Sequence, residues 1–175
     1  LGANPFKFGF IGSTDSHTGL ATADQRNFWG KVAGNEPSRN RVVTGWNYSA
    51  GGYAAVWATE NTREAIFTAM RRKEVYASTG PRITLRFFGG WDYAAVDADR
   101  PDLAEAGYAK GVPMGGDLTA APAGTPPSFL IRAVKDPDGA NLDRTQIIKG
   151  WLDGKGKLQE QIYDVVCSDD RAISS

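Results

Sequence analysis

Two patterns in the sequence predict an α+β chain. Up to about residue 80, a short apolar stretch, a long polar excursion, an amphipathic helical pattern and a second apolar stretch succeed one another, an order that suits strands layered on a helix. Beyond residue 81 the apolar residues fall into alternating runs split by strong turn signals, which suits an antiparallel sheet or part of a β-sandwich. The expected division is 1–80, mixed strand and helix, and 81–175, a β-rich, sandwich-like region that stops soon after a strand and so reads as incomplete.

The first element is Phe8–Ile11, apolar residues between glycines, which reads as a short strand buried on both faces. It runs into Gly12-Ser13-Thr14-Asp15-Ser16-His17, a small and polar turn that holds the only histidine of the chain. Residues 18–40 form a long irregular stretch made basic by Arg26, Lys31, Arg39 and Arg41 at its end, either a functional loop or a solvated excursion. Arg41–Trp46 suits a short strand, and Gly51-Gly52 a turn at which backbone comes close to a neighbour. Trp46, Tyr53 and Trp57 read as packing residues. The clearest helix spans Thr59–Lys73, with Asn61 as its cap, Glu64 completing a capping-box pattern, and Ala65, Ile66, Ala69 and Met70 as its core face. Glu74–Ser78 follows as a strand, stopped by Thr79-Gly80-Pro81.

Ile83, Leu85 and Phe87 then alternate with Thr84, Arg86 and Phe88 as a half-buried strand that Gly89-Gly90 should end. Between Trp91 and Pro127 the composition allows one short helix, around Pro101–Ala106. Three further strands are expected at 128–134, 145–152 and 158–166. Asp136-Pro137-Asp138-Gly139 and Asp153-Gly154-Lys155-Gly156 turn the chain between them, the last two strands forming a hairpin.

Composition narrows the function. Twenty basic residues balance twenty acidic ones, so charge points to neither nucleic acid nor an anionic membrane as partner. Cys167 is the only cysteine, which rules out an internal disulfide and a thiolate zinc site, and it assigns no compartment. No apolar run approaches the ~20 residues that span a bilayer. The chain opens Leu1-Gly2-Ala3-Asn4-Pro5, without methionine and close to an apolar stretch, and is therefore expected to be a piece of something longer.

The chemistry-bearing residues are few. If the backbone stays extended through Asp15-Ser16-His17, a period of two places Asp15 and His17 on one side, a carboxylate and an imidazole that suit a divalent metal. The plainer alternative is an aspartate capping a turn and a histidine hydrogen-bonded in the core. Ser13 and Thr14 would orient the ligands or, more simply, cap the turn. Lys7, Arg63 and Arg82 are possible anion contacts or solvated charges, and Asp117 reads as a turn residue.

With those residues in view, a resemblance emerges. Gly9–His17 resembles the last metal motif of the PHP (polymerase and histidinol phosphatase) superfamily, in which a strand ends in a Gly-Ser-Asp-x-His-type turn. Asn61–Arg72 and Glu74–Gly80 are similar to that superfamily's closing helix and strand. Trp57–Gly90, Gly111–Leu118, Asp136–Asp143 and Lys149–Asp153 resemble a large bacterial branch of PHP-like proteins catalogued as a domain of unknown function, so the likeness covers nearly the whole chain.

The resemblance implies that residues 1–80 are the C-terminal part of a distorted (β/α) barrel carrying a metal cluster of zinc, manganese or iron. Asp15 and His17 would be two of its ligands, and a metal-activated water would act on a small-molecule phosphoester-like or sulfate-ester substrate. The other ligands would lie upstream in the same polypeptide, since no second histidine exists here and catalytic zinc sites need three protein ligands. No residue is assigned as catalytic, and the piece alone is expected to be inactive. The branch also fits periplasmic export. The competing reading is a non-catalytic β-sandwich module for structure or interaction.

Overall fold

The computed structural model describes residues 7–17, 51–119, 121–169 and 171. The basic stretch 18–40 and the strand expected at 41–46 lie outside them. The fold is α+β, all strand pairs among the described residues are antiparallel, and no sheet among them closes into a barrel. The chain forms two compact units, residues 1–134 and residues 135–175, the break falling inside the β-rich region read from the sequence.

The first unit begins with a two-stranded ribbon. Strand β1 (Tyr53–Val56) pairs with β2 (Val75–Ser78), Tyr53 opposite Ser78 and Val56 opposite Val75. Helix α1 (Arg63–Arg71) connects them. Its cap is Thr62, one residue beyond the expected Asn61, because Thr62 holds the extended backbone a cap needs and its hydroxyl accepts the Ala65 N–H at 3.3 Å. Glu64 therefore falls at the second helical position, where it faces the positive end of the helix dipole.

Ala69 is buried as expected, but Met70, read as core, is 42% exposed. A two-stranded ribbon is too narrow to cover more than the stripe of Ala65, Ile66 and Ala69. The helix ends in a Schellman pattern, with the Lys73 N–H on the Met70 carbonyl at 2.9 Å and the Glu74 N–H on the Ala69 carbonyl at 3.1 Å. Lys73 occupies the left-handed position of that motif (φ 60), where glycine is the usual residue and a side chain costs about 1 kcal/mol.

The second sheet has the order β4-β3-β5: β3 (Thr84–Gly90) lies between β4 (Gly111–Pro113) and β5 (Ser128–Val134). The strand ends at Gly90, as expected. Both glycines pair inside it, opposite Val112 and Gly111 on one side and Phe129 and Ser128 on the other. Bare backbone suits that place, since a Cβ on Gly90 would come 2.7 Å from the Tyr93 ring. The strict alternation expected does not hold: Leu85, Arg86 and Phe87 are all partly buried, while Phe88 is fully buried and, with Leu103 and Leu130, forms the core, flanked by Tyr93 and Ala104.

Two helices replace the one expected, α2 (Ala95–Ala98) and α3 (Leu103–Lys110). Gly107 lets α3 lie flat on Phe88, because a Cβ there would be 2.6 Å from the ring. Buried Asp97 joins the two helices, accepting the Ala94 N–H at 2.8 Å and the Lys110 ammonium at 2.8 Å. The Lys110 contact holds its carboxyl below the usual carboxylate range.

The second unit opens on the expected turn, in which the Gly139 N–H reaches the Asp136 carbonyl at 3.0 Å and the Asp138 N–H reaches the Asp136 carboxylate at 3.0 Å. It continues as the expected hairpin of β6 (Arg144–Leu152) and β7 (Leu158–Cys167). A register shift between Thr145 and Gln146 leaves Val165 outside the pairing as a bulge. Ile148 pairs with Ile162 and Leu152 with Leu158, and all four are exposed.

Asp153 organises the loop, its carboxylate accepting the Lys155 and Lys157 N–H groups at 2.9 Å each and the Gln159 amide at 2.9 Å. These donors, the Lys157 N–H first, hold its carboxyl below the usual range. A depressed carboxyl stabilises the folded hairpin above the unfolded value, about 3.9, and that contribution is lost as pH falls through the folded one. The loop amides of Gly154–Lys157 are accordingly expected to lose protection from exchange below pH ~4. Asp153→Asn should abolish that pH step in an NMR titration, and an unaltered step in the variant would refute the assignment.

Candidate functional site

Segment 7–17 carries the expected ligands, and it is not the buried strand its composition suggests. It pairs with no strand among the described residues, and Phe8, Phe10 and Ile11 are 55%, 71% and 61% exposed. The physical reason is visible in its glycines. The segment meets the ribbon through close backbone approaches. A Cβ on Gly9 would come 3.0 Å from Val75, one on Gly12 would overlap the Tyr53 carbonyl, and one on Gly52 would come 2.6 Å from the Ser13 carbonyl oxygen. Gly52 was legible as a close-approach glycine, and its neighbour proves to be the site turn itself.

From there the chain turns through two hydroxyl-capped steps. Ser13 Oγ accepts the Asp15 N–H at 3.3 Å and Thr14 Oγ1 accepts the Ser16 N–H at 3.3 Å, the capping role that the sequence favoured. Asp15 sits in the left-handed region (φ 53), so the backbone is not extended through Asp15-Ser16-His17 and the period-of-two premise does not hold. Aspartate tolerates that conformation better than most residues. The turn instead brings His17 back on the chain, with Nδ1 2.9 Å from the Asp15 carbonyl oxygen. A carbonyl only accepts, so Nδ1 is the donor, and in the neutral ring this leaves the lone pair on Nε2. Both residues are exposed, and His17 is not a core histidine.

The remaining candidates are scattered. Lys7 forms an exposed ion pair with Asp117 at 2.7 Å, which makes Asp117 more than a turn residue. The Lys7 ammonium holds that carboxyl below the usual range. Arg82 stands over the Tyr53 ring at 5.7 Å, and Arg63 begins α1, exposed.

One polar cluster had no sequence signal. Glu74 is buried, and its carboxylate takes the Tyr108 hydroxyl, Arg72 at 3.2 Å and Arg86 at 3.4 Å. Arg86 also lies 3.3 Å over the Trp57 ring, whose indole N–H is fixed by the Leu85 carbonyl at 2.9 Å. Trp57 is thus a packing residue, as its spacing suggested. Burial first, and then the bond to Glu74, push the Tyr108 hydroxyl above the usual phenol value. The cluster ties both sheets and α3 together, and every charge in it is paired.

Fold and turn together define a mixed α+β protein whose exposed polar turn presents one carboxylate and one imidazole. No group of three or more metal-binding side chains occurs among the described residues. No helix among them is long and apolar enough to cross a membrane. The chain belongs to the family described as "Protein of unknown function (DUF3604)", whose model it matches over residues 1–175. No curated protein and no solved structure matches it.

Proposed function

We propose that this chain is part of a PHP-like metal-dependent hydrolase in which Asp15 and His17 ligate a divalent zinc, manganese or iron ion. The distorted (β/α) barrel is the finer form of the fold that this reading entails. The observation that carries it is the bond from His17 Nδ1 to the Asp15 carbonyl. A histidine that ligates through one nitrogen characteristically donates its other N–H to a carbonyl or carboxylate, which fixes the tautomer and aims the ligating lone pair. Ser13 and Thr14 hold the same turn from the backbone side. Two ligands do not complete a catalytic site, so the others come from outside the described residues.

Bound there, the metal would supply Lewis acidity and activate a water for attack on a phosphoester-like or sulfate-ester substrate. The intact polypeptide provides the test, through its metal content and its hydrolysis of p-nitrophenyl phosphate and p-nitrophenyl sulfate. Asp15→Asn and His17→Ala should each lower bound metal, and kcat/KM should fall by at least the ~100-fold seen for weaker perturbations of metal sites. Unchanged metal and unchanged turnover in both variants would end this proposal.

A second reading, a non-catalytic interaction module, draws on the exposed pairs Ile148–Ile162 and Leu152–Leu158. It requires that His17→Ala leave metal content untouched while Leu158→Lys abolishes association with a partner.

A further inference from the structure

We infer that a cleft in the first unit, between segment 7–10 and the three-stranded sheet, binds a small aryl anion. The cleft has a volume of about 310 Å³, at the lower end of the range for small-molecule sites. Its walls are Phe8, Phe10, Phe87, Phe129, Val112 and Leu118. Phe87 and Phe129 stack at 5.3 Å with 15° between their planes, and Phe8 meets Phe10 edge to face at 5.8 Å. Rings arranged both flat and edge-on suit an aromatic guest better than a flexible chain. Gly89 keeps the floor open, since a Cβ there would stand 3.4 Å from the Phe129 ring and 3.8 Å from Leu118.

The charges argue for an anion. Lys73 lines the cleft, and Asp117, next to the lining residues Gly116 and Leu118, is bridged by Lys7. Lys73 is the one charged residue among the described residues that line the cleft.

The backbone at Lys73 is a second, independent observation. It is left-handed, and its Cβ is closely flanked by Gly9 and Gly115, where added Cβ atoms would come 3.1 Å and 2.5 Å from it. Glycine would relieve the conformation at residue 73, yet a lysine stands there. Residues in strained backbone conformations cluster at ligand sites, and this one lines the cleft. Neither Asp15 nor His17 lines the cleft, and the stretch from Phe10 to Asp15 reaches up to about 17 Å. The inference therefore does not rest on the proposed metal turn.

The test uses the whole chain and two fluorescent probes, anionic 1-anilinonaphthalene-8-sulfonate and its neutral analogue N-phenyl-1-naphthylamine. The sulfonate should bind saturably, one per chain. Lys73→Gly should weaken it about fivefold, the scale of one exposed charge contact, while the neutral probe changes less than twofold and the melting temperature does not fall. Leu118→Trp, which fills the cleft, should weaken both probes at least tenfold. Equal sulfonate affinity in Lys73→Gly would overturn the inference. So would binding that survives Leu118→Trp and vanishes in Leu158→Lys, which would put the probe on the exposed hairpin.

Discussion

Replacing Glu74 by alanine is expected to lower the stability of the first unit by about 2–4 kcal/mol. The carboxylate is 2% exposed and answers two guanidinium groups and a phenol. Its removal leaves Arg86, only 19% exposed, as a cation that water reaches poorly. Losing one partner of a buried pair typically costs 3–5 kcal/mol, and the half-exposed Arg72 lowers the figure because it turns to solvent. Glu74→Gln should cost less than alanine, since the amide still accepts the Tyr108 hydroxyl. Glu74→Leu is informative too: if it proves worse than alanine, the unpaired Arg86 and not an empty volume dominates. Urea denaturation distinguishes these outcomes, and an alanine effect under about 0.5 kcal/mol would show that the cluster contributes little to stability.

The second large effect is expected at the contact between Phe88 and Gly107. Phe88→Ala removes the largest member of a three-residue core and should cost about 3–5 kcal/mol. The same contact can be probed from the other side. Gly→Ala inside a helix ordinarily stabilises by roughly 0.5–1 kcal/mol. At Gly107 the new methyl would press on the ring from 2.6 Å, an overpacking penalty of about 1–3 kcal/mol. The penalty wins, and Gly107→Ala should be destabilising by about 1–2 kcal/mol. Combined with Phe88→Leu it should cost less than the sum of the single changes, because the smaller side chain makes room. A stabilising Gly107→Ala would mean that α3 does not rest on this ring.

What could be read in advance follows from the range of the interactions. Strands β5, β6 and β7 were legible almost to the residue because alternation and turn chemistry are local: Asp136 and Asp153 each form their loop from bonds within a few positions. Misreadings arose where a residue's usual habit yields to its neighbours. Met70, on the apolar face of α1, is 42% exposed because the two-stranded ribbon covers only part of that face. Phe8–Ile11 has a strand's composition, yet what fixes its course is Gly12 against Tyr53, far away in sequence. The Glu74 cluster joins residues up to 34 positions apart and leaves no periodic trace. At the candidate site the residue types were legible and the conformation was not, since nothing local announces a left-handed Asp15.

The glycine contacts also decide what anchors segment 7–17 to the body of the protein. The Lys7–Asp117 pair, with both side chains more than half exposed, contributes at most about 1 kcal/mol. Backbone fit at Gly9, Gly12 and Gly52 supplies the close approaches to the ribbon. Ionic strength is then a weak handle on the docking of His17, and a single methyl at Gly12 is a strong one: the histidine is held in place by side chains that are missing.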